Sequence, residues 1–217
     1  MSRRVQVKIC GVRSAEAVAA AAEAGAEFVG LVFFPTSPRA VTAAQAASLA
    51  AARSSGGPAL VGLFVDPTDE ELTSVLSSVP LDWLQLHGRE RPERVAAVRA
   101  RFGLPVLKAV GVETRAEAEE AVAAYAPVAD ALLFDAKPAP GATRPGGNAV
   151  AIDASCLAGL SCPLPWLLAG GLTPGTVAEA IRLSGAPGVD VSSGVERALG
   201  DKDAGLIRAF VAAARAV

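Results

Sequence analysis

One histidine and three cysteines leave little to build a metal centre from in a chain of 217 residues. His87 stands alone and no C-x-x-C pair occurs, which argues against a structural zinc site. Cys10, Cys156 and Cys162 form an odd set without paired spacing, which fits a reducing compartment better than a disulfide framework. The chain also lacks any Lys/Arg run, and its formal charge of −2 argues against a nucleic-acid footprint. The opening MSRRVQVKIC has no apolar h-region, and no apolar run approaches the roughly 20 residues that span a bilayer. The expectation is a cytoplasmic protein with neither membrane nor nucleic acid as partner. What the chain has in quantity is apolar side chain, 52% of the residues, enough for a large core. Its length fits one α/β barrel or two small domains.

Short β-branched runs alternate with Ala-rich runs from end to end. Strands are expected at Val5–Cys10, Phe28–Phe33, Ala59–Phe64, Trp83–His87, Pro105–Ala109, Ala131–Asp135, Trp166–Ala169 and Val189–Val191. Helix starts lie between them. Ser14 precedes AEAVAAAAEA, Thr42 precedes AAQAASLAAA, and Thr68 with Glu71 makes a capping box. Pro92 suits a first helical turn, and residues 114–124, Thr176–Leu183 and Asp203–Ala214 continue the series. The sixth helix, after Asp153, is poorly marked. Eight βα units at roughly 27 residues each match a single (βα)8 TIM barrel over residues 1–217. A doubly wound sheet alternates in the same way and stays open on periodicity alone. The Gly/Pro-rich stretch 138–147 falls where a barrel places an active-site loop, rather than where a domain linker would sit.

Barrels carry their chemistry at the C-terminal ends of the strands. The polar residues there are Lys8, Cys10, Arg39, Asp66, Gln85, His87, Asp135, Asp190, Ser192 and Ser193. Period-two alternation puts Lys8 and Cys10 on one face of the first strand, with Val7 and Ile9 on the other. If the apolar pair meets the helices, Lys8 and Cys10 point into the lumen. A neighbouring ammonium lowers a thiol's pKa, which makes Cys10 a plausible general base, against the plainer reading of a small core residue. Asp135 shares its face with Leu133 at the end of an apolar strand. Desolvation there favours the protonated carboxyl, suited to a general acid, although a loop-capping aspartate is equally compatible with the position.

Gly170 and Gly171 follow the seventh strand, and Ser192, Ser193 and Gly194 follow the eighth. Backbone amides at those two loops frequently hold phosphate in barrels, and finding both loops together points to a phosphorylated ligand. Arg39 follows FFPTSP. A surface role is the default, yet a loop arginine above a barrel suits bidentate carboxylate binding. His87 reads more readily as a satisfied rim residue than as a catalyst, and Cys156 and Cys162 as structural.

These segments, KICG (8–11), FFPTSPR (33–39), QLHG (85–88), LLFD (132–135), LAGGL (168–172), DVSSGVE (190–196) and KD (202–203), resemble phosphoribosylanthranilate isomerases along the full length. The resemblance implies an Amadori rearrangement with Cys10 as general base and Asp135 as general acid. It implies Arg39 on the anthranilate carboxylate and the last two loops on the ribose phosphate, with Lys8, Gln85, His87 and Asp190 in the substrate site. It calls for no cofactor and no metal, because the substrate's own iminium is the electron sink. It leaves monomer and homodimer open. One stretch departs from the family pattern: GG-[ST]-G followed by F-D-W is here Gly146–Gly147–Asn148–Ala149 and Ile152–Asp153–Ala154. That change keeps a paralogue for a substituted anthranilate open as a rival. A histidine-pathway isomerase is disfavoured, since it is expected to carry aspartate at Cys10. A catalytically silent phosphometabolite-binding barrel needs neither Cys10 nor Asp135.

Overall fold

A computed structural model describes residues 4–137 and 151–217. Among these, eight parallel strands close into a barrel, each hydrogen-bonded to the next in sequence and the last to the first. The strands are β1 (Gln6–Cys10), β2 (Phe28–Val32), β3 (Ala59–Phe64), β4 (Trp83–Leu86), β5 (Val106–Val112), β6 (Ala131–Ala136), β7 (Trp166–Leu168) and β8 (Gly188–Val191). The outer layer is α1 (Ala15–Ala24), α2 (Ala43–Ala52), α3 (Asp69–Leu76), α4 (Pro92–Phe102), α5 (Arg115–Tyr125), α6 (Val177–Ser184) and α7 (Ala204–Arg215). The closed ring excludes the open doubly wound sheet. No helix among the described residues is long and apolar enough to cross a membrane.

Local chemistry places the helices where the sequence marks them. Ser14 caps α1, accepting from the Ala17 amide, and α2, α3 and α5 each open on a complete capping box. Alternation along the strands then builds two shells of core. Val7, Ile9, Leu84, Leu86, Leu132 and Phe134 meet the helices, while Leu107, Ala109, Leu133, Leu167 and Ala169 fill the lumen. Cys10 sits in an upper lumenal cluster with Val32 and Leu63, so β1 faces the way its alternation implies.

Three features differ from the sequence reading. β5 runs three residues past Ala109, because β6 keeps pairing it as far as Val112↔Ala136. The sixth helix is only a 3-10 turn, Ala154–Leu157, capped by Asp153. Gly159 in a left-handed conformation and the prolines at 163 and 165 stop it from continuing. Beyond β8 a two-stranded hairpin forms from β9 (Glu196–Ala198) and β10 (Asp201–Lys202), which no periodicity announced. Cys156 and Cys162 are half-buried against the core around that 3-10 turn, in keeping with a structural role. The expected loop at 138–147 and the altered Gly146–Ala149 lie outside the described residues.

Candidate active site

The strand ends bring the polar residues into three groups. The first joins β1 to β8. Lys8 is paired with Asp190 in register, and its Nζ donates to the Asp190 carboxylate at 2.8 Å with no solvent exposure of the lysine side chain. Burial works against the Lys8 charge, but Asp190 and Cys10 together outweigh it and hold the ammonium above its ordinary value. The Cys10 thiol lies one pleat above and interacts with the same ammonium. Its neighbour across β2 is a glycine, Gly30, where a Cβ would stand 2.9 Å from Cys10 Sγ and 3.3 Å from Lys8 Nζ. Only a residue without a side chain leaves room for both.

Here the structure corrects an expectation. Lys8 does lower the Cys10 thiol, yet burial raises it by more and Asp190 adds to the rise, so the net shift is upward. Asp190 pairs with the same lysine across the β1–β8 seam and adds its own negative charge to the thiol's surroundings.

The second group joins β4 to β6. Asp135 points inward with Leu133; its Oδ1 accepts from the Ala136 amide at 2.8 Å, and its Oδ2 lies 3.4 Å from His87 Nε2. On its other side, His87 Nδ1 lies 3.3 Å from Gln85 Nε2. With the Gln85 amide donating there, Nδ1 is the acceptor and Nε2–H faces the carboxylate. The remaining Gln85 oxygen is buried and has no partner among the described residues.

The third group joins the loops after β2, β7 and β8. Arg39 is buried and makes a bidentate pair with Glu196, Nε to Oε1 at 2.7 Å and Nη2 to Oε2 at 2.9 Å. The arginine that suited carboxylate recognition is therefore already holding a carboxylate of the protein, in a position no surface arginine occupies. Lys202 adds a bond to Glu196 Oε1 at 2.8 Å and donates to the carbonyl and hydroxyl oxygens of Ser192. Burial would raise Glu196, but hydrogen bonds from Arg39 and Lys202 overcome it and hold the carboxyl at about 2. Lys202, nearly buried and close to the Arg39 cation, is pushed below its ordinary value even with Glu196 against it.

Gly170 and Gly171 both take left-handed conformations as β7 turns away. Ser193–Val195 forms a 3-10 turn directly after β8. The two loops touch so closely that a Cβ on Gly194 would fall 1.9 Å from the Leu172 carbonyl oxygen. Glu196, Lys202, Glu90 and Lys108 are absent from the strand-end residues to which the sequence points. The first two stood inside recognised segments, and only the fold reveals that Glu196 reaches back to Arg39.

Residues 7–213 match the family model for N-(5'-phosphoribosyl)anthranilate (PRA) isomerase. Curated relatives of that name include one from Paramagnetospirillum magneticum, 57% identical across 97% of both chains, and one from Paracoccus denitrificans, 58% identical across 98% of both. The isomerase of Thermotoga maritima superposes with a TM-score of 0.85 at 33% identity, covering 98% of this chain and all of that one. A further isomerase structure, with reduced 1-(o-carboxyphenylamino)-1-deoxyribulose 5-phosphate bound, superposes with a TM-score of 0.80 at 31% identity over the same shares. With the strand-end residues standing as described, this chain belongs to the phosphoribosylanthranilate isomerase family.

Proposed function

We infer that the protein isomerises N-(5-phosphoribosyl)anthranilate to 1-(2-carboxyphenylamino)-1-deoxyribulose 5-phosphate, a step of tryptophan biosynthesis. The observation that carries this reading is the pair of reactive groups at the mouth of one lumen, Cys10 on β1 and Asp135 on β6, in a chain of this family. Asp135 protonates the furanose ring oxygen; the anthranilate nitrogen lone pair opens the ring and leaves a protonated Schiff base. The Cys10 thiolate then removes the C2 proton, and those electrons neutralise the iminium to give an enolamine. Protonation at C1 with loss of the enol proton yields the ketone. Each proton transfer contributes on the order of 10²–10⁴ in rate.

Burial raises the thiol, so the thiolate needs its cation: Lys8 stabilises the anion while Asp190 keeps Lys8 charged. Lys8 and Asp190 thus act on the base rather than on the substrate. The loops carrying Gly170, Gly171, Ser192, Ser193 and Gly194 take the ribose phosphate on their amides. Arg39, held in place by Glu196, is the cation for the anthranilate carboxylate. The free Gln85 oxygen accepts from a ribose hydroxyl, and His87 donates to Asp135. A free thiol as base fits a reducing compartment, in line with a cytoplasmic enzyme.

The monomeric or homodimeric state follows the relatives in being open to both. A neighbouring structure contains monomers generated from the dimeric Thermotoga maritima enzyme. The test is turnover of the anthranilate substrate beside the histidine-pathway aminoaldose and a ring-substituted anthranilate. Highest kcat/KM on the unsubstituted substrate is expected; preference for either rival, or binding without turnover, overturns the reading.

A further inference from the structure

We propose that the buried ion pair Lys108–Glu90 is a positioning device for His87 and, through His87, for Asp135. The proposal rests on the reading of Asp135 as the acid.

Lys108 lies on β5 between Leu107 and Ala109, both lumenal, so its side chain leaves toward the helices. There its Nζ meets Glu90 Oε2 at 2.7 Å, the two side chains 2% and 1% exposed, with the Tyr125 ring of α5 5.6 Å away. Removing two charges from water costs several kcal/mol per ion, and apolar residues of similar size often do as well or better for stability. Such a pair is weak evidence for stability, and its bonds show where else it acts.

All but one of the further side-chain bonds the pair makes land beside His87. Lys108 Nζ donates to the carbonyls of Leu86 at 3.3 Å and Gly88 at 2.9 Å, the residues immediately before and after it. The Glu90 carboxylate accepts from the Gly88 amide, 3.0 Å to each oxygen. The His87 amide itself donates to Phe64 at 2.9 Å. Glu90 Oε1 also accepts from the Asp66 amide at 2.8 Å, holding Asp66 at a φ of +47°, while Asp66 Oδ1 takes the Arg89 amide. Gly88 and Asp66 interlock, since a Cβ on Gly88 would be 2.5 Å from the Asp66 carboxyl. The turn that presents the imidazole therefore hangs on one ammonium and one carboxylate. A shift of the order of 1 Å at such a turn can cost about a hundredfold in rate without touching the reacting atoms.

The substrate's two charged ends are read from the loops after β2, β7 and β8, away from β4 and β5, so this clamp affects kcat rather than KM. The test is Lys108→Met combined with Glu90→Gln, which removes both charges together and strands neither. Because His87 is the only histidine, the imidazole cross-peaks of untagged protein report its position directly. The expected result is a folded protein with KM within about threefold of wild type, kcat lowered about tenfold or more, and displaced imidazole cross-peaks. Should that variant fail to fold, Glu90→Asp keeps both charges but draws the carboxylate back from Gly88 and Asp66, and the same readouts apply. Unmoved cross-peaks, or wild-type kcat, in a folded variant overturn the proposal. Asp135→Asn measured alongside separates the two readings. If that variant keeps its activity the acid assignment fails, while the cross-peaks still decide whether the pair positions His87.

Discussion

Replacing Glu196 by Gln removes the carboxylate that pairs with Arg39 and joins the β2 loop to the loop after β8. Its carboxyl titrates at about 2 in the fold and near 4.5 in a free chain. A value depressed by folding means stability that is present above 4.5 and lost as pH falls through about 2. That difference corresponds to at most about 3 kcal/mol at pH 7, and linkage leaves little more than about 1 kcal/mol of it at pH 3. The side chain is only 5% exposed, so water screens the interaction little. The variant also leaves the Arg39 and Lys202 cations facing each other without an anion between them. Urea unfolding of both proteins at pH 7 and pH 3 measures the effect. The gap between them should narrow by about 2 kcal/mol on acidification, other carboxylates cancelling in the comparison. The same variant should raise KM, because Arg39 loses its clamp. A stability gap equal at the two pH values would refute the pairing as described.

Gly194→Ala should weaken substrate binding at least tenfold in KM, because its Cβ would overlap the Leu172 carbonyl and force the two glycine-bearing loops apart; inhibition by inorganic phosphate measures it. Gly30→Ala should leave KM nearly unchanged and lower kcat, since its Cβ pushes on the Cys10 sulfur and the Lys8 ammonium; steady-state kinetics separate the two constants. Asp190→Asn should cost about 3–5 kcal/mol in urea unfolding at pH 7, as it leaves the Lys8 ammonium buried without its anion. Lys8 is raised by folding, so that contribution is whole below 10.5 and disappears as pH climbs through the higher folded value. The gap between the proteins should therefore shrink at strongly alkaline pH.

The barrel was legible because its signals are local. Caps at Ser14, Thr42 and Thr68 and the alternation of VQVKIC each state an element without reference to anything distant. The inward aim of Cys10 and Asp135 follows from the same period of two. What the sequence could not yield is which side chains far apart in the chain pair with each other. Lys8 and Asp190 are 182 residues apart, and Arg39 and Glu196 are 157 apart. Without those partners Lys8 looks like a free cation beside a thiol and Arg39 like a rim residue, while the thiol's upward direction comes first from burial and then from Asp190. The Lys108–Glu90 pair was invisible for a further reason. A lysine inside an apolar strand reads as an interruption until the turn it supports is seen beside it.

The account depends most on Cys10 and Asp135, and kcat/KM for the anthranilate substrate in Cys10→Ser and Asp135→Asn tests them directly. A serine hydroxyl cannot supply an anion near neutrality, whereas even a raised thiol can be drawn into ionisation beside Lys8. An amide in place of Asp135 cannot deliver the proton that opens the ring. Both variants should stay folded and lose nearly all activity. For the wild type, activity should climb toward alkaline pH as the raised Cys10 thiol ionises. Retention of more than about a tenth of wild-type kcat/KM by Cys10→Ser, a loss under roughly 1.4 kcal/mol, would contradict the assignment of the base.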